Sequence, residues 1–147
     1  MLIAVGRLGR SPEAALCRDY VQRLATAPAI HEIDDRRRGS IDPKTWQAAQ
    51  ILKKLPANAF VCALDEQGAS AASADIAAMI AAARADGRTL AFVIGGADGL
   101  DETVRRRADK ILAFGRATWP HKLVRVMLLE QLYRADAILT GHPYHRA

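Results

Sequence analysis

The sequence predicts an α/β domain in which a parallel sheet is flanked by helices. Short apolar runs alternate with longer amphipathic runs along the chain, which is typical of parallel βαβ units. The short runs lack polar alternation, as expected for strands that are covered on both faces. The 147 residues, 50% apolar and 25% charged, fit one globular domain spanning residues 1–147 and exclude a low-complexity disordered chain.

Proline marks both predicted helix starts in the first half of the chain. Ser11 followed by Pro12 is an N-cap with proline at the first helical position, and Asp42 followed by Pro43 repeats the signal. The first helix is expected to end near Thr26 and the second near Leu55. The strands of this half are expected at Leu2–Gly6, Ile30–Ile33 and Phe60–Leu64.

The second half of the chain predicts a loop, three helices and two strands. In chain order these are the loop Asp65–Ala72, the helix Ser73–Asp86, the strand Leu90–Ile94, the short helix Asp101–Ala108, the strand Ile111–Phe114 and the long helix His121–Leu139. Ligands of open parallel sheets bind at the carboxyl ends of the strands. A site is therefore expected in the loops after Leu64, Ile94 and Phe114.

Positive charge is concentrated near the C-terminus. Residues up to Thr103 hold 12 Lys and Arg against 13 Asp and Glu, whereas from Val104 onward there are 9 against 3, a net charge of +6. Such a region can attract a polyanion such as RNA, or it can be an ordinary solvated surface. The run Arg36–Arg38 follows two aspartates and is interpreted as a solvated loop.

The cysteines and the apolar runs indicate in which cellular compartment the protein is expected. Cys17 and Cys62 form no CxxC pair, so no disulfide framework is expected. No apolar run approaches the ~20 residues that span a membrane, and the N-terminus lacks a signal-peptide layout. These features predict a cytoplasmic protein without a membrane segment.

The loop Ile94–Leu100 (IGGADGL) follows a predicted strand and precedes a predicted helix. Its glycines allow a ligand to approach the backbone closely. The spacing GGxxG is neither GxGxxG nor a P-loop, and Asp98 would repel a phosphate. Two interpretations stay open here, a tight strand-to-helix turn and a ligand-binding loop.

Three segments of the C-terminal third carry a family resemblance, together with the glycine loop and Leu64–Gly68 (LDEQG). They are Trp119–Val126 (WPHKLVRV), Glu130–Ala135 (EQLYRA) and His142–Arg146 (HPYHR). The combination resembles the RlmH (YbeA-like) family of ribosomal RNA large-subunit methyltransferases, in the SPOUT superfamily. Ala69 and Gly141 depart from the family pattern, which often has Lys and Asn at those positions.

The resemblance implies a fold, a reaction and a set of partners. The fold is a SPOUT-type α/β knot, a parallel sheet flanked by helices with a C-terminal trefoil knot. The reaction is methylation of N3 of a pseudouridine in 23S ribosomal RNA of the assembled ribosome, with S-adenosylmethionine as methyl donor. The implied assembly is a homodimer with the site near the subunit interface.

The resemblance also assigns roles to residues. The cofactor-binding positions it implies are Leu64, Gly95, Phe114, Gly115, Arg116, Ala117, Thr118 and Trp119. Leu64 and Leu123 are expected to form apolar walls for adenine. The catalytic positions proposed on the last helix and the tail are Glu130, Tyr144, His145 and Arg146.

The general base is left open by the sequence. The pseudouridine N3 must lose its proton, and Glu130, His121, His145 and bulk water are the candidates. A metal site at His121, His142 and His145 is not expected, because no carboxylate or thiolate accompanies them.

Four large side chains have alternative interpretations. Arg125 and Arg134 either contact RNA or form ion pairs with Glu130 and Asp136 on the same helix. Trp46 and Trp119 are expected in the core or at an interface rather than as stacking platforms.

Three functions compete at this point. They are an rRNA methyltransferase, a non-catalytic RNA- or ribosome-binding protein of the same fold, and a nucleotide-binding enzyme that uses the glycine loop as a phosphate cradle. The intact HPYHR tail favours the first over the second, and the missing P-loop lysine disfavours the third.

Overall fold

A computed structural model describes residues 1–34 and 42–145 of the chain. The five strands are β1 (Leu2–Val5), β2 (Ile30–Ile33), β3 (Phe60–Ser70), β4 (Leu90–Ile94) and β5 (Lys110–Ala113). The five helices are α1 (Pro12–Arg23), α2 (Pro43–Lys54), α3 (Ser73–Ala85), α4 (Glu102–Arg107) and α5 (His121–Thr140). Arg36–Arg38 and Arg146 lie outside the described residues.

The strands form one sheet in the order β2-β1-β4-β3-β5, and every neighbouring pair is parallel. Side chains of α1, α3 and α5 bury one face of the sheet, and side chains of α2 and α4 bury the other. This architecture confirms the predicted parallel sheet flanked by helices. The knot stays a prediction, because strand order alone does not define how the last segment is threaded.

The prediction of a loop over Asp65–Ala72 was wrong, since β3 continues to Ser70. Leu64 and Ala69 both pair with Leu112 of β5, so the four residues between them bulge out of the ladder before pairing resumes. A Cβ at Gly68 would lie 2.6 Å from the backbone carbon of Leu112, which leaves room for glycine alone. The polar sequence of the bulge resembles a loop, whereas the resumed pairing depends on an edge strand distant in sequence.

The helix boundaries follow local chemistry. Asp42 caps α2, accepting a hydrogen bond from the Thr45 backbone N–H at 2.9 Å. α1 ends at Arg23, earlier than the predicted end near Thr26. α5 ends at Gly141, whose φ of 69° is the left-handed conformation common at helix C-termini. Asn also adopts that conformation, so glycine here preserves the geometry of the family pattern.

Candidate cofactor pocket and tail cluster

A cavity of about 470 Å³ lies at the bulge of β3 and the carboxyl ends of β4 and β5. This is the edge at which ligands of parallel sheets bind, and the volume falls in the range typical of small-molecule sites. Its lining includes seven of the eight predicted cofactor positions, Leu64, Gly95, Phe114, Gly115, Ala117, Thr118 and Trp119. Arg116, the eighth, is exposed and does not line the cavity.

The glycine loop forms one wall of the cavity. The Gly99 backbone N–H donates to the Gly96 carbonyl at 3.1 Å and closes a tight turn. Gly99 has φ +76°, which favours glycine. A Cβ at Gly95 would lie 2.7 Å from the Gly99 carbonyl carbon, so Gly95 is required by the packing of the loop on itself. The two interpretations of the sequence therefore coexist, because the tight turn is also a pocket wall.

The segment 114–119 forms the facing wall. Gly115 has φ +88° and reverses the chain after β5. The indole N–H of Trp119 donates to the Phe114 carbonyl at 2.9 Å and closes the loop. The Thr118 hydroxyl donates to Glu66 Oε2 at 2.6 Å, which ties this loop to the bulge of β3. Two of the three segments that line the cavity are thus joined by a side-chain hydrogen bond.

The charges of the pocket are partly neutralised. Arg105 of α4 donates to Asp65 Oδ2 at 2.9 Å, and only 5% of the Asp65 side chain is exposed. Asp98 and Glu66 are exposed at the mouth. Lys44 of α2 adds a positive group to the lining.

The donor set fits an adenosine-containing cofactor. Leu64, Leu112 and Val124 supply apolar walls for a flat ring. The glycine loop and the 114–119 loop supply backbone N–H and C=O groups of the kind that read the ring edge. Leu123, which was predicted as a wall, is 38% exposed and does not line the cavity, because its neighbour Val124 faces it instead.

A second group of predicted residues gathers near the other end of α5. The Tyr144 hydroxyl donates to Glu130 Oε1 at 3.1 Å, and Arg134 donates to the same oxygen at 2.6 Å. The Tyr144 ring lies 4.5 Å from the Tyr133 ring and carries the Arg134 guanidinium at 4.8 Å from its centroid. We call Glu130, Tyr133, Arg134 and Tyr144 the tail cluster.

The surroundings of Tyr144 favour its protonated phenol. Burial, followed by the hydrogen bond and charge of Glu130, raises the pKa of Tyr144 to about 12. The hydrogen bond with Glu130 raises the pKa of Arg134 as well, against the opposing effect of burial. The phenol is therefore a hydrogen-bond donor at neutral pH. His145 adjoins this cluster in sequence, and its Nδ1 is buried without a hydrogen-bond partner among the described residues.

The tail cluster and the pocket are separate within one chain. Val124 is the last residue of α5 that lines the cavity, and Glu130 follows six residues later. At 1.5 Å and 100° per residue, Glu130 is about 9 Å further along the axis and turned to another face. The structure therefore brings seven of the eight predicted cofactor residues together at the cavity and joins Glu130 to Tyr144 at a different place, while Arg146 lies outside the described residues.

The histidines are distributed between the two places. His121 lines the pocket, whereas Glu130 and His145, the other protein candidates for the base, do not. His142 Nδ1 accepts a hydrogen bond from the Tyr144 backbone N–H at 3.2 Å. Within residues 1–34 and 42–145 no three potential ligand side chains form a metal-binding group, and no helix there is long and apolar enough to cross a membrane.

Both open interpretations of Arg125 were wrong. Arg125 is 1% exposed, donates to Glu32 of β2 and to the Gly6 carbonyl at 2.9 Å, and so joins α5 to the ends of β1 and β2. Arg134 pairs with Glu130 as one interpretation predicted, while Asp136 pairs with Arg84. Helical spacing gives no indication of Arg125's partner, because Glu32 lies 93 residues away.

The tryptophans differ from each other. Trp46 packs against the core on the α2 side, as expected. Trp119 is 44% exposed and lines the pocket, so it is not a core residue. Lys44 and Arg105 line the pocket but were not predicted to do so. The Asp42–Pro43 signal predicted the helix that holds Lys44, but it gave no indication that this helix borders the pocket.

Comparisons with known proteins identify the family. A family model described as "Predicted SPOUT methyltransferase" matches residues 1–145. Proteins named "Ribosomal RNA large subunit methyltransferase H" are 47% identical in Paramagnetospirillum magneticum and 52% identical in Methylorubrum extorquens. These alignments cover 99% of this chain and 97% and 95% of the two relatives.

The fold has a counterpart among solved structures. A probable methylase family protein from Haemophilus influenzae Rd KW20 aligns with a TM-score of 0.58 and 10% identity, over 99% of this chain and 70% of that chain. This likeness concerns the fold, whereas the full-length sequence matches establish the relationship. The chain belongs to the RlmH family of SPOUT methyltransferases.

Proposed function

We propose that this chain is an S-adenosylmethionine-dependent methyltransferase of ribosomal RNA in the cytoplasm. The finer proposal is methylation of N3 of a pseudouridine in 23S rRNA of the assembled ribosome. The observation that carries it is the pocket at the bulge of β3 and the carboxyl ends of β4 and β5, whose lining includes seven of the eight cofactor positions expected from the family resemblance. The names of the close relatives support the rRNA substrate.

The residues of the pocket would act by binding and orienting. The bound cofactor supplies a methyl group activated by its sulfonium, whose charge disappears on transfer. The site therefore needs no strong anion at the sulfur, consistent with the pairing of Asp65 by Arg105. The glycine loop and the 114–119 loop would fix the direction of the methyl group, and such positioning is a large source of rate enhancement. Of the three side chains considered as the base, His121 lines the cavity, so within one chain it would be the residue placed to accept the proton.

We further propose a homodimer in which the tail cluster of one subunit completes the pocket of the other. Within one chain the tail cluster docks on its own α5, away from the cavity. Leu16 of α1 and Leu123 and Leu139 of α5 are exposed apolar side chains, and α1 packs against α5. A twofold dimer that buries this surface is the commonest solution for such a domain.

Methyl transfer to ribosomes tests the activity. Calorimetry should show binding of S-adenosylmethionine, and a tritiated methyl group should pass to ribosomes from a strain that lacks the modification. Base mapping of the labelled rRNA then identifies the methylated atom. Ribosome binding without methyl transfer would favour the non-catalytic alternative.

A mixed dimer tests the shared site. One subunit carries Ala117→Trp, which fills the pocket, and the other lacks the residues after Gly141. If the tail acts across the interface, the mixed dimer should recover about half of the wild-type activity, because one pocket and one tail stay intact and meet. No recovery above the two parent variants would mean that each tail serves its own pocket.

A further inference from the structure

The loop between β1 and α1 lies beside the pocket. Gly6–Ser11 follows β1 at the same edge of the sheet as the glycine loop, because β1 pairs directly with β4. A Cβ at Gly96 would lie 3.0 Å from Val5 Cγ1, so the end of β1 touches a pocket-lining residue. The loop therefore borders the glycine-loop wall of the pocket.

The loop has a fixed conformation. Glu32 accepts a hydrogen bond from the Leu8 backbone N–H at 3.0 Å, and it also accepts one from Arg125. Arg125 donates to the Gly6 carbonyl at 2.9 Å, and the Ser11 backbone N–H donates to the Leu8 carbonyl at 3.1 Å. Side chains on such an anchored loop lose less conformational entropy on binding than side chains on a free one.

Two arginines of this loop are available for a ligand. Arg7 and Arg10 are exposed, and neither forms an ion pair with a residue that the structure describes. Lys122 at the start of α5 interacts electrostatically with Glu13 in the first turn of α1, so a third cation lies near the start of that helix. We call Arg7, Arg10 and Lys122 the basic rim.

The arginine run of α4 contrasts with the basic rim. Arg105 pairs with Asp65 and Glu102, Arg106 with Glu102, and Arg107 with Asp109. Much of the positive charge counted from Val104 onward is therefore neutralised within the protein. Arg7 and Arg10 of the N-terminal loop are thus exposed cations near the pocket, in addition to Lys44 on its wall, and the charge count along the sequence did not single them out.

We propose that the basic rim binds phosphates of the ribosomal RNA that flank the target base. This inference rests on the proposed function for the identity of the polyanion. Guanidinium groups match phosphate geometry, and phosphate contacts position a protein on RNA while releasing counterions. Arg7 and Arg10 would place the RNA backbone over the pocket without contributing to the transfer step.

The test compares two double variants of equal charge change. Arg7→Gln with Arg10→Gln removes the rim arginines. Lys53→Gln with Lys54→Gln removes two exposed cations at the end of α2, just before β3 and so at the opposite edge of the sheet. Thermal melting confirms that both variants are folded, and calorimetry measures their affinity for S-adenosylmethionine.

The rim variant should raise KM for ribosomes about 10-fold near 0.1 M salt and reduce the salt slope of ribosome binding by about 1 to 2. Its kcat at saturating ribosomes and its cofactor affinity should be unchanged, and the lysine variant should behave as wild type. Sedimentation with ribosomes gives the same binding comparison without turnover, so the inference is tested even if methyl transfer fails. Unchanged ribosome affinity and salt slope in the rim variant, or an equal loss in the lysine variant, would overturn it.

Discussion

The two ends of α5 carry two different kinds of site. At its start, the pocket is built from three loops whose shape is set by backbone turns and by glycines with positive φ. Near its end, the tail cluster is built from side chains that share one carboxylate oxygen of Glu130. Motifs that are almost continuous in sequence therefore lie at two places, about 9 Å apart along the axis of α5.

Because the pocket and the tail cluster are built differently, we expect different kinds of substitution to disrupt them. A pocket made of backbone is sensitive to added side-chain atoms, because glycine positions such as Gly95 have no space for a Cβ. A cluster made of side chains is sensitive to lost hydrogen bonds. Arg125 lies between them on α5 and holds the helix against the sheet.

The largest expected effect on stability is at Arg125. Arg125→Met leaves Glu32 and the Gly6 carbonyl without their partner, and breaking a buried pair costs roughly 3–5 kcal/mol. Because 34% of the Glu32 side chain is exposed, we expect about 3 kcal/mol, measured by urea unfolding. Arg84→Met is the control, since its pair with Asp136 is exposed on the arginine side and should be worth less than about 1 kcal/mol. Equal losses in the two variants would contradict this role.

The next largest effect is the loss of methyl transfer when the C-terminal tail is removed. Deletion of the residues after Gly141 should lower methyl transfer by at least ~100-fold, the scale of losing one positioned catalytic group. The fold, the dimer and most of the cofactor affinity should persist, because the pocket contains no tail residue. Tyr144→Ala should show part of the same loss, measured by single-turnover transfer. Near-normal turnover of the truncated enzyme would mean that the tail cluster has no part in the reaction.

A smaller effect is expected from one added methyl group in the pocket. Gly95→Ala forces its Cβ against the Gly99 backbone and should cost about 1–3 kcal/mol while weakening cofactor binding. Gly87→Ala is the control, because Gly87 has open space around its Cβ position and its positive φ of 63° alone disfavours alanine. It should lower the melting temperature and leave the cofactor affinity unchanged. Normal cofactor binding by the Gly95 variant would show that the glycine loop is not part of the cofactor site.

The smallest effect is a titration in the tail cluster. The pKa of Tyr144 is raised from its ordinary value of 10.0 to about 12, so the folded tail binds this proton more tightly than the unfolded chain does. The resulting stabilisation of tail docking is complete below about pH 10 and is lost as the pH rises towards 12. Alkaline absorbance difference spectra between wild type and Tyr144→Phe measure the pKa. Glu130→Gln should move it back towards 10, and an unchanged value would disprove the role of that hydrogen bond.

The fold was largely predictable because its determinants are local. Buried strands without polar alternation and cap-then-proline signals placed all ten elements close to their observed positions. The continuation of β3 to Ser70 was missed because it depends on pairing with β5, about forty residues away in sequence. Long-range pairing of an edge strand leaves no periodic signal in a short polar segment.

The members of the site were predictable, but their grouping was not. Seven of the eight predicted cofactor positions line the cavity, because the segments that hold them lie at the bulge of β3 and after β4 and β5, and β3 is the neighbour of both strands in the sheet. The distance between Glu130 and the pocket depends on which face of α5 each residue occupies, and the burial of Arg125 depends on a partner in β2. Both facts require the packing of distant elements.

The bulge of β3 has a consequence for how this scaffold can vary. Leu64 and Ala69 both pair with Leu112 of β5, so the four residues between them form a bulge that begins and ends at the same position of the neighbouring strand. A change in the number of residues in this bulge leaves the register between β3 and β5 unchanged before and after it. The mouth of the pocket can thus be widened or narrowed independently of the hydrophobic core, which makes this segment a natural point for redesigning ligand access.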